Sequence, residues 1–472
     1  MTGMRPAAKM LRVEIDEDAR AEGPEGAAIE VAPTPDAERP TRGWALRHWV
    51  WLAGVAVACV VALLATSQSV DAREGAEADR IAGIPGMVRP LVAAPVERWR
   101  APATPGAGGV VVAADQVVTS VLRGQLWWVS AYAVADGTLR WSSAVFPSSG
   151  WGGESPEVVC PGGGAEVSDV GALVVCVASF DSGFAAQVIA LSSTDGQGLG
   201  GWTVDGQLVG FGRVADDLVV GTVLDDGRAL LERRDARTGA VVWSHLTTDV
   251  MRGDQRAVTV AVGARFATIR GFASEVVALT DGSVVNYSPI GMQSEFTEIP
   301  DGFATFNTVV GGHLYDDHGV VVAAVQGLPA RLQSDDGSLG DVVVIDWNTQ
   351  LRGVDTTGAV HWTLDTSLGA VAVVDGTVVV AGDGRYGVVD GRTGRELWQV
   401  PTGTAEAIAP RSDGAVVLAV EADPDGATNL VARGLRDGLR VWSVPVDRGV
   451  VALDAAGGQL LARTATGVVA LG

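Results

Sequence analysis

A nine-residue phrase, Asp-x-x-Thr-Gly-x-x-x-Trp, stands unbroken at Asp235–Trp243 and again at Asp390–Trp398. Worn copies end at Trp141, Trp202, Trp362 and Trp442, and a fainter one at Tyr287. Counted from Trp99, the steps are 42, 61, 41, 44, 75, 36 and 44 residues, which cluster near the length of one propeller blade. Around the second unbroken copy the pattern predicts strands at Ala370–Val374, Thr377–Ala381, Tyr386–Asp390 and Arg395–Trp398, parted by glycine turns. Gly supplies the positive φ of a tight hairpin and the Asp before it bonds the backbone locally. A lone four-stranded sheet leaves both faces wet, so such units must stack, and a closed ring protects the terminal faces.

Closure is also written in the sequence. Residues 449–472 offer three strands without the Trp-ending one, and Pro95–Trp99 supplies it from the other end. The expected fold is all-β, an eight-bladed β-propeller of four-stranded antiparallel blades, with seven blades the main alternative because residues 287–362 are ambiguous. The two long steps read as insertions, one holding a cysteine loop and the other residues 290–340. Trp99, Trp141, Trp202, Trp243, Trp362, Trp398 and Trp442 read as inter-blade packing rather than ligand contacts, since an indole buries about 200 Å².

The two unbroken phrases resemble the pyrroloquinoline-quinone (PQQ) repeat family, and the resemblance extends over about 95–472. It implies a propeller similar to the non-catalytic members of that superfamily, which include an outer-membrane assembly lipoprotein and many membrane-anchored proteins. Quinoprotein alcohol dehydrogenases share the blade phrase. They hold PQQ between a Trp and a disulfide of adjacent cysteines, beside a Ca²⁺ bound by Glu and Asn near a catalytic Asp. Here Cys160 and Cys176 are sixteen positions apart, so no residue carries over by motif and neither a catalytic residue nor a cofactor is expected. A PQQ-dependent oxidoreductase is the alternative, because some quinoproteins lack the adjacent pair.

Composition agrees with many short strands: hydrophobic residues make up 47%, aromatics 6%, and there are 62 glycines. A formal charge of -22 repels phosphate backbones, so nucleic acid is excluded as a partner. From Trp49 to Thr66 no residue is charged, and an 18-residue helix of this kind matches the hydrocarbon thickness. Trp44, Trp49 and Trp51 gather at its start, Arg39, Arg42 and Arg47 precede it, and a mixed-charge flank follows. This predicts a single-pass plasma-membrane protein with its N-terminus cytoplasmic and its propeller extracytoplasmic. The expected organisation is a disordered cytoplasmic tail at 1–43, a transmembrane helix at 44–68, an extracytoplasmic linker at 69–94 and the propeller at 95–472.

Cys160 and Cys176 sit at the ends of two strand-like runs, Glu157–Cys160 and Ala172–Ala178, and a disulfide is the natural reading in an oxidising compartment. Two unpaired thiols in neighbouring strands would satisfy the same spacing. His313, Asp316, Asp317 and His318 place two imidazoles and two carboxylates within six residues, side chains that a metal could use. Such a site needs a sharp bend and a further ligand, whereas a polar loop on the long insertion needs neither, so no metal is assigned. The expected role is a non-enzymatic scaffold binding an unidentified protein or cell-envelope component, with an extracellular ligand sensor as a further alternative.

Overall fold

Alternating apolar residues between Asp-Gly and Thr-Gly turns fold as the phrase requires, into short antiparallel strands. The structure is a computed structural model that describes residues 73, 75–104, 110–113, 115–148, 156–161, 173–180, 185–252, 258–299, 301–404 and 408–472. Near the best-preserved repeat the strands are Gly369–Val374, Thr377–Gly382, Arg385–Asp390 and Glu396–Pro401, with register and turns as read from sequence. Asp375 and Gly376 both hold positive φ, 49° and 71°, the geometry of a tight two-residue hairpin.

Among the described residues the strands form nine sheets, not eight or seven. They are the blades of an all-β propeller. The error lies in residues 290–340, which are not an insertion: Glu295–Ile299, Gly302–Asn307, Gly311–Asp316 and Val321–Val325 make a complete fifth blade. Leu328–Pro329 then opens the sixth. Blade 5 escaped because its outer strand carries Ala323 where the phrase has Trp. The turn glycine of the next blade, Gly358, confirms the equivalence, because a Cβ there would meet the Ala323 methyl at 3.0 Å. Blade 4 is similarly disguised. Asn286, opposite Val276, fills its Trp position, while Tyr287 pairs one step further along and bonds Asp249.

The ring closes as expected, with Glu97–Pro102 antiparallel to Gly467–Leu471. First strands of neighbouring blades meet in the middle. At Gly210 and Gly212 a Cβ would lie 2.6 and 2.4 Å from atoms of Val260 and Val262 on the next blade. Around the ring the blades are joined by one repeated contact. Trp99, Trp141, Trp202, Trp243, Trp362 and Trp398 donate their indole N–H to the carbonyls of Val134, Ser193, Ala236, Leu279, Gly391 and Leu435, at 2.8 to 3.2 Å. Each acceptor lies three residues before the turn glycine of the following blade. That glycine lies over the ring itself: at Gly239 φ is +72° and a Cβ would come within 2.7 Å of Trp202. The Asp of the phrase builds the turn, with Asp235 Oδ1 accepting from the Thr238 amide at 2.8 Å and the Thr238 hydroxyl at 2.7 Å.

Trp442 is the exception. Its Nε1 is buried without a hydrogen-bond partner. Blade 9 takes its outer strand from Glu97–Pro102, so no turn joins its third and fourth strands and the usual acceptor is missing. A strap takes that place. Within the expected linker, the described residues form a helix over 75–82 followed by a strap in which Met87 and Val88 are fully buried, Val88 N bonding Ser412 O and Arg89 N bonding Gly458 O. No helix among the described residues is long and apolar enough to cross a membrane, and the spans 1–43 and 44–68 lie outside those residues.

Trp362→Phe loses a bond and leaves the Gly391 carbonyl unpaired, whereas Trp442→Phe removes a donor that has no acceptor. In urea unfolding the first should therefore cost about 1 kcal/mol more than the second. Equal losses would contradict the closure geometry. The turn aspartates set the acid limit. Asp355 is held down to about 2, chiefly by the Thr357 hydroxyl, and Asp235 and Asp390 are lowered by Thr238 and Thr393. A depressed folded pKa stabilises above the unfolded value and stops doing so as pH falls through the folded one. The melting temperature should drop as pH is taken from about 3.8 towards 2, followed by circular dichroism.

Candidate functional site

The hairpins joining second and third strands point to one face of the ring, and those of blades 4, 5 and 6 enclose a cleft of about 870 Å³. Arg270 and Gly271 come from blade 4, Phe306 to Val309 from blade 5, and Asp346 and Trp347 from blade 6, with Gly291 and Gln293 on the connection between blades 4 and 5 and Glu295 opening the first strand of blade 5. The Phe306 and Trp347 rings meet edge to face, 4.5 Å between centroids. Arg270 and Glu295 neutralise one another at 3.1 Å.

Asp346 is different. Burial raises its pKa, and its carboxylate has no hydrogen-bond or ion-pair partner among the described residues. A half-buried anion without a donor is costly to keep in place. The rim is firm and apolar. Asn307 donates to Gln293 O at 2.7 Å and accepts from Val309 N at 2.7 Å, and this bracing holds Val309 80% exposed. Val310, Ile290 and Met292 are exposed on the same two segments. The cleft thus offers an aromatic wall, one uncompensated negative charge and an aliphatic rim.

The residues singled out by sequence lie elsewhere. Cys160 and Cys176 are joined, with S–S 2.08 Å, and pack in a buried cluster with Trp127 and Trp141 between blades 1 and 2. His313, Asp316, Asp317 and His318 are not on an insertion loop but on the third strand and outer turn of blade 5. Asp316 is the Asp of the phrase and accepts from His318 N at 3.0 Å and Val320 N at 2.8 Å. His313 lies within the strand, opposite Thr305 and Ala324. His318 and Asp317 are exposed and 3.6 Å apart, so the four do not converge. Among the described residues no group of three or more His, Cys, Asp or Glu side chains is placed to share a metal ion. Sequence reading missed the cleft because its hairpins carry no repeat signature. The adjacent acid and aromatic at Asp346-Trp347 were the available signal.

Residues 337–470 match the family model described as outer membrane protein assembly factor BamB, and the repeats there are of the PQQ type. No curated protein matches the sequence. Among solved structures, BamB from Moraxella catarrhalis is 18% identical over 80% of this chain and 97% of its own, with a TM-score of 0.44. Sqt1 from Saccharomyces cerevisiae is 11% identical over 82% and 99%, with a TM-score of 0.44. A quinohemoprotein alcohol dehydrogenase from Pseudomonas putida is 13% identical over 84% and 81%, with a TM-score of 0.41. Overlaps this partial say nothing about activity in this chain.

A carboxylate kept charged without a partner weakens the free fold. Asp346→Asn should raise the melting temperature at pH 7 and leave it unchanged near pH 3, where the native carboxyl is already protonated in both states. A fall at pH 7 would mean that Asp346 has a stabilising partner.

Proposed function

We propose that this propeller of PQQ-type repeats is a non-enzymatic binding scaffold that holds a protein partner at the cleft over blades 4, 5 and 6. One observation carries the reading: the unpartnered Asp346 carboxylate stands beside the Phe306 and Trp347 rings, under an exposed valine rim. A Lys or Arg side chain would supply the missing counter-charge and lie on the aromatic wall, while aliphatic neighbours cover the rim. The occupant is therefore a segment with a basic residue between apolar ones. The chain's formal charge of -22 favours the approach of such a partner.

The propeller is assigned to the outer side of the plasma membrane, tethered through the apolar run 49–66 with the N-terminus inside. The arginine-rich flank before that run and a disulfide between Cys160 and Cys176, a bond of oxidising compartments, support this location.

A photo-crosslinking residue at Val309 of the full chain, in native membranes, should label a discrete protein partner, and Asp346→Asn should reduce the yield severalfold. The same probe at Val441, on the outer strand of blade 8, should label nothing specific. Equal labelling at both positions, or none at Val309, would overturn the assignment. Addition of PQQ with Ca²⁺ should leave the absorption spectrum and melting temperature unchanged, and a saturable shift would instead favour the oxidoreductase.

A further inference from the structure

On the inner wall of the ring, the first strands of blades 8 and 9 hold a charge arrangement that does not balance. Arg411 donates Nε to Leu453 O at 2.8 Å and Nη2 to Asp454 Oδ1 at 3.2 Å. Arg463, on the neighbouring strand of blade 9, brings its Nε to 2.5 Å from Asp454 Oδ2. That nitrogen is buried and not aligned for a hydrogen bond to any acceptor. Two guanidiniums, both largely buried, thus share one carboxylate in a protein whose overall charge is strongly negative. Burial lowers the Arg411 pKa, Asp454 opposes that fall, and Arg463 adds to it.

The pair opens onto a cleft of about 230 Å³, lined also by Gln333, Ile408 and Val451. Neither terminal nitrogen of Arg463 makes a hydrogen bond among the described residues, so the guanidinium edge remains available for a bidentate contact. A structural ion pair would need only one of the two arginines. The second leaves one positive charge and a set of donors that a single additional oxyanion would satisfy, giving two cations against two anions.

We propose that the Arg411–Asp454–Arg463 cleft binds a small oxyanion, a carboxylate or a phosphate, through the Arg463 guanidinium with Arg411 behind it. The volume is below that of clefts that take drug-sized ligands, which limits the occupant to a few heavy atoms. Asp454 contacts both guanidiniums and competes with the incoming anion for their donors.

The test uses the full chain in detergent at constant ionic strength, with inorganic phosphate and acetate titrated separately by calorimetry and thermal shift, and chloride as the control. One oxyanion or both should give a saturable response at about millimolar concentration, and the stronger of the two names the source. Arg463→Gln should weaken binding about tenfold or more. Asp454→Asn, which removes the competing charge, should tighten it. A purely structural triad predicts no saturable response in the native chain and none in Asp454→Asn. No saturable response to either anion, or weaker binding in Asp454→Asn, would overturn the proposal. The Asp454 variant remains decisive if Arg463→Gln does not fold.

Discussion

Six of the repeat indoles grip the following blade at two points at once. The face of each carries the turn glycine of the next blade, and its N–H reaches a carbonyl three residues before that glycine. The glycine must be glycine twice over, for its positive φ and for the closeness of the ring. This coupling explains why Gly and Trp occur at fixed distance within a phrase although they touch across blades rather than within one. Six copies of the contact turn nine marginal sheets into one closed body, and the places where it lapses are the places where the molecule is unusual.

Those lapses also mark how far the sequence could be read. Strand limits near Ala370 were legible to within a residue, because turn chemistry fixes hairpin register, while the outer strand runs three residues past Trp398 to Pro401. Blade 5 was hidden because Ala323 stands where the phrase has Trp. With that marker gone, the step of 75 residues from Tyr287 to Trp362 looked like one blade with a long insertion. Blade 5 is held by other means: Phe303 stacks on Tyr315 at 4.8 Å and meets Phe266 of blade 4 at 5.0 Å. Aromatic residues inside the sheet replace the aromatic residue at its edge, and no spacing rule announces that exchange. Likewise Met87 and Val88 lie in a stretch with neither helical nor strand period, so their burial could not be foreseen.

The candidate cleft was illegible for a related reason. Arg270, Phe306 and Trp347 are distant in sequence and lie at hairpins that carry no copy of the phrase, whose turns lie on the opposite face. Propellers divide their labour in this way: one face is committed to holding the ring, and the other is left for recognition. The His313–His318 stretch attracted attention for its side-chain types, but it lies on the committed face, where Asp316 is occupied in making a turn. The Asp346 carboxylate, by contrast, makes no hydrogen bond or ion pair among the described residues.

The closing blade draws its outer strand from Glu97–Pro102 and its other three from the far end of the chain, separated by the eight remaining blades. During synthesis that first strand must wait, its edge unpaired, until the last hairpin has left the ribosome. Blades 1 to 8 can form in order from local contacts, but the ring cannot seal before translation of this region is finished. Until Glu97–Pro102 meets Gly467–Leu471, the outward flanks of blades 1 and 8 have no closing blade to cover them.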